Sequence, residues 1–256
     1  MDSNFVEMYR RHVRHVPGGE VHEHGAVTVI WAPHGEAIHN PVMVHGTTTA
    51  DEVVEVAHRR CAALGRKHVL FTRVHEDDHL DAGLEAHGYR RVWVTPAMYL
   101  TADALAPTPT AASGLEFRRV ETEAAAALYG DGAAEAFAIY GVPAASVRGY
   151  FPSLASVADD GVEAWLGWQD GFAVTGAMVY ASHGVAGVGW VWTRPALFGR
   201  RYGEAATSAA LAPAFGRGLA LANLQASPLG QKLYARMGFV TASEYATYVR
   251  VGVRGA

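Results

Sequence analysis

Cysteine is nearly absent from the chain: Cys61 is the only one, which excludes an intrachain disulfide framework and fits a reducing compartment. No basic leader followed by an apolar run opens the sequence, and no stretch reaches about 18 uninterrupted apolar residues. Those two absences predict a soluble cytoplasmic protein without a membrane partner. A basic surplus is missing too, since 21 Lys/Arg face 25 Asp/Glu for a net charge of -4. Residues 1 to 106 hold 10 basic against 14 acidic side chains, and residues 107 to 256 hold 11 of each. Neither part offers the cationic surface that a phosphate backbone demands, so nucleic acid is not a predicted partner. What is present is a globular balance, 50% hydrophobic and 18% charged, far from the composition of disorder. The 256 residues suit one large domain or two of about 120 to 140 residues.

A break falls at residues 102 to 113, a stretch of small residues with Pro107 and Pro109 and no apolar periodicity, which reads as a linker. Beyond it the pattern predicts a strand at 115 to 119, helical stretches at 122 to 138 and 143 to 152, and strands at 163 to 169, 172 to 181 and 185 to 193. A small-residue helix is expected from Gly203, then a strand at 219 to 226, a helix at 228 to 237 and a strand at 239 to 251. Before the break the expected order is strand 25 to 32, strand 41 to 45, helix 50 to 64, strand 67 to 74, helix 79 to 87 and strand 90 to 100. Thr49 and Glu52 form a capping box for the first of these helices. Val53, Val54, Ala57, Cys61 and Leu64 keep one face, and Gly65 stops it. The order before the break repeats the end of the chain at an offset of 150, with Gly88 on Gly238 and Leu84 on Tyr234, which suggests an internal duplication. Strands with helices between them make an α/β fold with a mixed, α+β type of sheet.

Two blocks carry the chemistry. In residues 191 to 203 a strand runs through Val191, Trp192 and Thr193 into a Gly/Arg loop (Phe198, Gly199, Arg200, Arg201, Tyr202, Gly203) at the start of a helix that continues with Glu204. Unpaired amides at a helix N-terminus and the positive end of its dipole attract anions, and glycine lets backbone close on a pyrophosphate. The second block, residues 224 to 239, is a punctuated helix: Ser227 as N-cap, Pro228 at the first helical position, Arg236 in the last turn and Gly238 just past the end. A left-handed cap at Gly238 would bring Phe239 against Tyr234. Gly230, one turn before Tyr234, leaves room on the same face for a thin ligand chain.

In this order and about 30 residues apart, the blocks resemble those of the GNAT acetyltransferase superfamily over residues 114 to 256. The family's loop, Arg/Gln-x-x-Gly-x-Gly/Ala, appears here with Phe198 at its polar first position and Arg201 at its middle glycine. Ala226-Ser227-x-x-Gly230 ahead of Leu233-Tyr234-x-x-x-Gly238-Phe239 is similar to the family's closing signature. The resemblance implies a splayed mixed sheet holding acetyl-CoA as the acyl-donor substrate. Val191 and Thr193 would bond the pantetheine amides through their backbones, the amides of residues 199 to 204 would hold the pyrophosphate, and Trp192, Ser227 and Gly230 would complete the contact. An amine of a small-molecule or peptide acceptor would attack the thioester directly, with Tyr234 protonating the departing thiolate. It further implies a tandem protein, monomeric or homodimeric: residues 1 to 101 a degenerate GNAT-like domain completing the acceptor wall, 102 to 113 a linker, 114 to 256 the catalytic domain.

The strand leading to the loop carries no acid, which leaves the general base open; Tyr180, His183 and Asp170 are the fallback candidates. Tyr129, Phe137, Tyr140, Tyr150, Phe151, Trp165 and Trp168 are expected to frame the acceptor, a lining suited to a small, partly apolar molecule. Other readings stay open: a different acyl donor, a hydroxyl acceptor, or a non-catalytic acyl-CoA-binding module. Twelve of thirteen histidines lie at or before His87, and His75-Glu76-Asp77-Asp78-His79 matches a zinc-peptidase string. That string requires a continuous helix, whereas here it falls at a strand end, so no metal is expected.

Overall fold

A computed structural model describes residues 1–33, 36–62, 67–105, 112 and 114–251. Residues 106–111 and 113, most of the segment read as a linker, lie outside the described residues, as do Leu64 and Gly65 at the expected helix end.

The first half contains α1 (Asp2–Arg14), β1 (Glu20–His24), β2 (Val27–Trp31), β3 (Pro41–Val44), α2 (Ala50–Ala57), β4 (Val69–Arg73), α3 (Asp81–Ala86) and β5 (Tyr89–Thr101). The second contains β6 (Glu116–Arg119), α4 (Glu123–Phe137), α5 (Ala144–Arg148), β7 (Ala158–Asp159), β8 (Val162–Gln169), β9 (Phe172–Ser182), β10 (Val185–Thr193), α6 (Tyr202–Gly216), β11 (Leu221–Gln225), α7 (Pro228–Arg236) and β12 (Val240–Arg250). The expected capping box opens α2: Thr49 Oγ1 accepts from the Glu52 amide, and Glu52 accepts from the Thr49 amide. Val53, Val54, Ala57 and Cys61 are all buried, with a π-helical turn at His58–Ala62 continuing the helix.

All the strands join one mixed sheet in the order β1-β2-β3-β4-β12-β5-β11-β10-β9-β8-β6, with β7 beside β8. Among the described residues only β3·β4 and β10·β11 are parallel, and each pair is bridged by a helix, α2 or α6, because a parallel connection needs a crossover. The two halves exchange their last strands. β5 lies between β11 and β12, β12 lies between β4 and β5, and the pair runs antiparallel through the middle of the sheet. Local periodicity carries no information about such pairing, so the sequence pattern shows the strands and not their exchange.

Helices cover both faces. Along β9, Met178 and Tyr180 pack in the cluster built on α1 and α4, while Ala177 and Val179 pack in the cluster built on α6, the period-2 alternation of a strand buried on both sides. Ala205, Ala206, Ala210 and Ala214 of α6 are fully buried, so the helix backbone comes close to the sheet. Helix α1, which the sequence reading missed, crosses from the first half to the second. Its buried Asn4 donates from Nδ2 to the carbonyls of Tyr180 (3.0 Å) and Val185 (3.1 Å) and to Ser182 Oγ (2.9 Å), tying α1 to the β9–β10 hairpin. The spacing of its buried Phe5, Val6, His12 and Val13 is the periodic signal that would have revealed it.

Candidate active site

β10 and β11 pair from Val185 with Leu221 to Gly187 with Asn223, and there the pairing stops. From Val188 to Thr193, β10 keeps β9 on one side but meets no strand on the other among the described residues. A bulge between Gly189 and Trp192 interrupts the ladder with β9 along the same stretch, with Trp190 at a positive φ of 49°. The Tyr129 hydroxyl donates to the Trp190 carbonyl at 2.7 Å and fixes the bulge. A cavity of about 1090 Å³ opens along the unpaired edge, large enough for a cofactor-sized ligand. Val191, Trp192, Thr193, Phe198, Gly199, Arg201, Tyr202, Gly203, Glu204, Ser227, Gly230 and Tyr234 all line it. Arg200 does not; its side chain is exposed.

Helix α6 begins without a side-chain cap. The first amides of a helix have no partner within it, so the amides of Tyr202, Gly203 and Glu204 present the positive end of the helix to the cavity. Arg201 occupies the N-cap with φ 60°, the left-handed conformation that glycine adopts without strain and that costs an ordinary residue about 1–2 kcal/mol. This explains why the resembling family has glycine at that place. Here the arginine is held by a carboxylate: its Nε and Nη2 donate to Glu204 Oε2 at 2.8 and 2.6 Å. Arg236, from the last turn of α7, donates to Glu204 Oε1 at 2.9 and 2.5 Å. The Glu204 side chain is 1% exposed. Burial alone would raise its carboxyl pKa, but the bonds from the two arginines outweigh burial and hold it below the ordinary value. The trio carries a net charge of +1 beside the uncapped helix end, a setting that suits an anion.

Helix α7 is capped at both ends. Ser227 Oγ accepts from the Gly230 amide at 3.1 Å, and Pro228 occupies the first helical position. At the other end Gly238 has φ 97°. The Gly238 amide donates to Ala235 O (3.1 Å) and the Phe239 amide to Tyr234 O (3.0 Å), the two bonds of a Schellman cap. The Phe239 ring meets the Tyr234 ring edge-on, with centroids 5.6 Å apart at 63°. The Tyr234 ring packs closely over Gly230, since a Cβ at 230 would lie 2.9 Å from Tyr234 Cε2; the glycine makes room for the ring and also lines the cavity. Tyr234 is 9% exposed yet lines the cavity. Burial, with Tyr140 nearby, pushes its phenol above the ordinary tyrosine value, so at neutral pH it keeps its proton.

Beyond the splay the cavity runs into the first half and α1. Phe5, Tyr9 and His12 of α1, Phe71 of β4 and Trp93 to Thr95 of β5 line it together with Phe137, Tyr150 and Trp190; the residues from the first half are the site residues that sequence reasoning missed. Of the rings expected around the acceptor, Phe137, Tyr140 and Tyr150 line the cavity, while Tyr129, Phe151, Trp165 and Trp168 do not. Among the fallback bases, Tyr180 is buried with its hydroxyl 3.3 Å from His12 Nδ1, and Asp170 and His183 sit in hairpin turns at positive φ; none of the three lines the cavity. His75 and His79 share no helix. His75 bonds Ser243, His79 Nε2 lies 3.2 Å from Thr48 O, and the intervening Asp77 is buried against Arg73.

The splayed β10–β11 pair, the crossover α6 and the closing α7–β12 define a GNAT fold, and the repetition of β3-α2-β4-α3-β5 by β10-α6-β11-α7-β12 makes it a tandem one. No protein-family model matches the chain, and no curated protein matches it. Solved structures do. A GCN5-related N-acetyltransferase from Kribbella flavida is similar over 96% of this chain and 95% of its own, with a TM-score of 0.72 at 18% identity. One from Sphaerobacter thermophilus covers 89% of this chain and 82% of its own (TM-score 0.61, 21% identity). A tandem GNAT protein from the clavulanic acid biosynthesis pathway covers 97% and 94% (TM-score 0.60, 14% identity). Among the described residues no helix is long and apolar enough to cross a membrane.

Proposed function

We propose that the second half transfers an acyl group, acetyl in the simplest case, from acetyl-CoA to an amine. One observation carries the reading: the uncapped N-terminus of α6 and the clamped Tyr234 open into a single cavity at the point where β10 and β11 part. The donor's pyrophosphate lies on the amides at the start of α6, and its pantetheine runs along the unpaired edge of β10, held by the backbones of Val191 and Thr193. The amine nitrogen attacks the thioester carbonyl carbon, an amide C–N bond forms, and the C–S bond breaks. Tyr234 gives its proton to the departing thiolate, whose basicity is raised by the same dry surroundings that raise the phenol. The proton lost by the amine leaves through water, and solvent returns one to Tyr234, so the net products are amide and CoA thiol. The first half serves as a wall of the acceptor compartment, a role supported by Phe71 and Trp93 to Thr95 in the lining.

Calorimetric titration with acetyl-CoA, followed by thiol release over a panel of amines, tests this. Binding and amine-dependent thiol release are expected. Binding without release on any amine or alcohol would assign an acyl-CoA-binding module instead, and absence of binding would defeat the reading.

A further inference from the structure

The acceptor end of the cavity differs sharply from the donor end in charge. Four described lining residues carry a formal charge. Arg201, Glu204 and Arg236 are locked together between α6 and α7. Glu36 alone serves the other end, next to the turn whose His39 ring meets Tyr150 with centroids 4.5 Å apart. Rings in mutual contact line much of that end, Tyr9 with Phe71 (6.2 Å), His12 with Tyr150 (4.3 Å) and Trp190 with Phe137 (4.9 Å), beside aliphatic side chains such as Met8, Ile38 and Val147. The mouth is apolar as well. Trp93, Val94, Ile139 and Tyr140 are exposed large hydrophobics, and all four line the cavity. Apolar side chains left to water around one concavity mark a site for an apolar ligand.

We infer that the acceptor is a hydrophobic monoamine, a single primary amine carried on an alkyl or arylalkyl body; the inference rests on the acyl-transfer reading above. The body is taken from water by the rings of α1, α4 and β4, while a second ammonium would give up its hydration among those rings with Glu36 as the one carboxylate of that end's described lining to offset it. The first half thereby selects the acceptor rather than only supporting the sheet.

The test uses the full chain with acetyl-CoA and the n-alkylamines from ethylamine to hexylamine, phenethylamine, 1,6-diaminohexane and spermidine. The expected kcat/KM rises roughly fourfold per methylene until the compartment fills, about 0.8 kcal/mol per buried CH₂, and hexylamine exceeds 1,6-diaminohexane by at least about tenfold. A flat series, or preference for the diamine or spermidine, overturns the inference while leaving acyl transfer standing. Calorimetric titration of hexylamine and of 1,6-diaminohexane into the CoA-loaded and free protein reads the compartment without chemistry. Tighter hexylamine binding with a negative heat-capacity change supports the inference, and equal or absent binding of hexylamine overturns it. Failure of the parent reading has its own signature, the absence of acetyl-CoA binding.

Discussion

The two crossover helices carry a glutamate at the same place, the third helical residue, and the two carboxylates go to different partners. In the first half Glu52 turns back on the Thr49 amide while Thr49 Oγ1 takes the Glu52 amide, so α2 spends its N-terminal donors on its own side chains. In the second half Glu204 turns sideways to Arg201 and Arg236 and leaves the α6 amides uncapped. The strands before them diverge in step. β3 has four residues and stays paired with β4 as far as Met43 and Phe71; β10 has nine and leaves β11 after Gly187. The helices after them keep the same glycine cap, at Gly88 and Gly238, but place Leu84 in one core and Tyr234 at the edge of a cavity. A threonine N-cap closes the start of α2 on itself, whereas Arg201 leaves the first amides of α6 without a side-chain cap.

The largest effect that would break this comparison is at the equivalent pair Leu84 and Tyr234. Tyr234→Phe is expected to lower turnover about 10²- to 10³-fold, the range of general acid catalysis, with acetyl-CoA affinity unchanged by calorimetry. Leu84→Ala, at a fully buried site, is expected to cost about 2–5 kcal/mol of stability and to leave turnover per folded molecule intact. Equal turnover in Tyr234→Phe and the parent would return Tyr234 to a packing role. Removing residues 1 to 112 is no substitute for these variants, because it strips β5 from between β11 and β12.

Next come the helix glycines. A Cβ at Gly83 would meet Ala50 Cβ at 2.5 Å, and one at Gly230 would meet the Tyr234 ring at 2.9 Å. Gly83→Ala therefore presses α3 against α2, an overpacking worth about 1–3 kcal/mol, visible as a lower Tm with normal turnover. Gly230→Ala presses on the phenol, and roughly tenfold slower turnover with little change in Tm is expected, the order of loss that displacement of a positioned group produces.

A smaller effect tests the cap itself. Arg201→Thr converts residues 201 to 204 into the Thr-x-x-Glu pattern of 49 to 52. A β-branched residue disfavours φ 60° and moves position 201 to the extended conformation of Thr49, where its hydroxyl competes for the α6 amides; with the arginine charge also gone, acetyl-CoA affinity is expected to fall about tenfold, or about 1.4 kcal/mol. Thr49→Ala in the first half is expected to cost about 1 kcal/mol of stability with no change in acetyl-CoA affinity. Titration calorimetry beside thermal unfolding separates the two.

Local signals made the second half legible in the sequence. The Ser227–Pro228 start and Gly238–Phe239 stop of α7 depend on neighbours within one or two turns, and they placed the Tyr234 ring against Phe239 as found. What the sequence hid is long-range. Arg236 reaches Glu204 across 32 residues, β5 and β12 trade places across the middle of the sheet, and α1 lodges on a hairpin some 180 residues away through Asn4. Each of these is a pairing between segments whose own patterns say nothing about the partner. The first-half lining of the cavity, Phe71 and Trp93 to Thr95, comes from such pairings, which is why it was not legible in the sequence while the loop and helix of the second half were.

The finest test of the two carboxylates is acid. Glu52 is held below the ordinary carboxylate pKa by the Thr48 hydroxyl and then the Thr49 amide; Glu204 is held below it by two arginines working against burial. A carboxyl depressed in the folded state adds stability above its unfolded pKa, about 4.3, and that addition is lost as pH falls through the lower folded value. Both should therefore weaken the protein only below about pH 4.3, and Glu204 is the one linking α6 to α7. Thermal unfolding between pH 3 and pH 7 is expected to show that Glu204→Gln flattens the acid slope more than Glu52→Gln does, and that only Glu204→Gln shifts the acid limb of acetyl-CoA binding. The reverse order would mean that the buried carboxylate is indifferent to its arginines, and the contrast between the two helix starts would then rest on Thr49 and Arg201 alone.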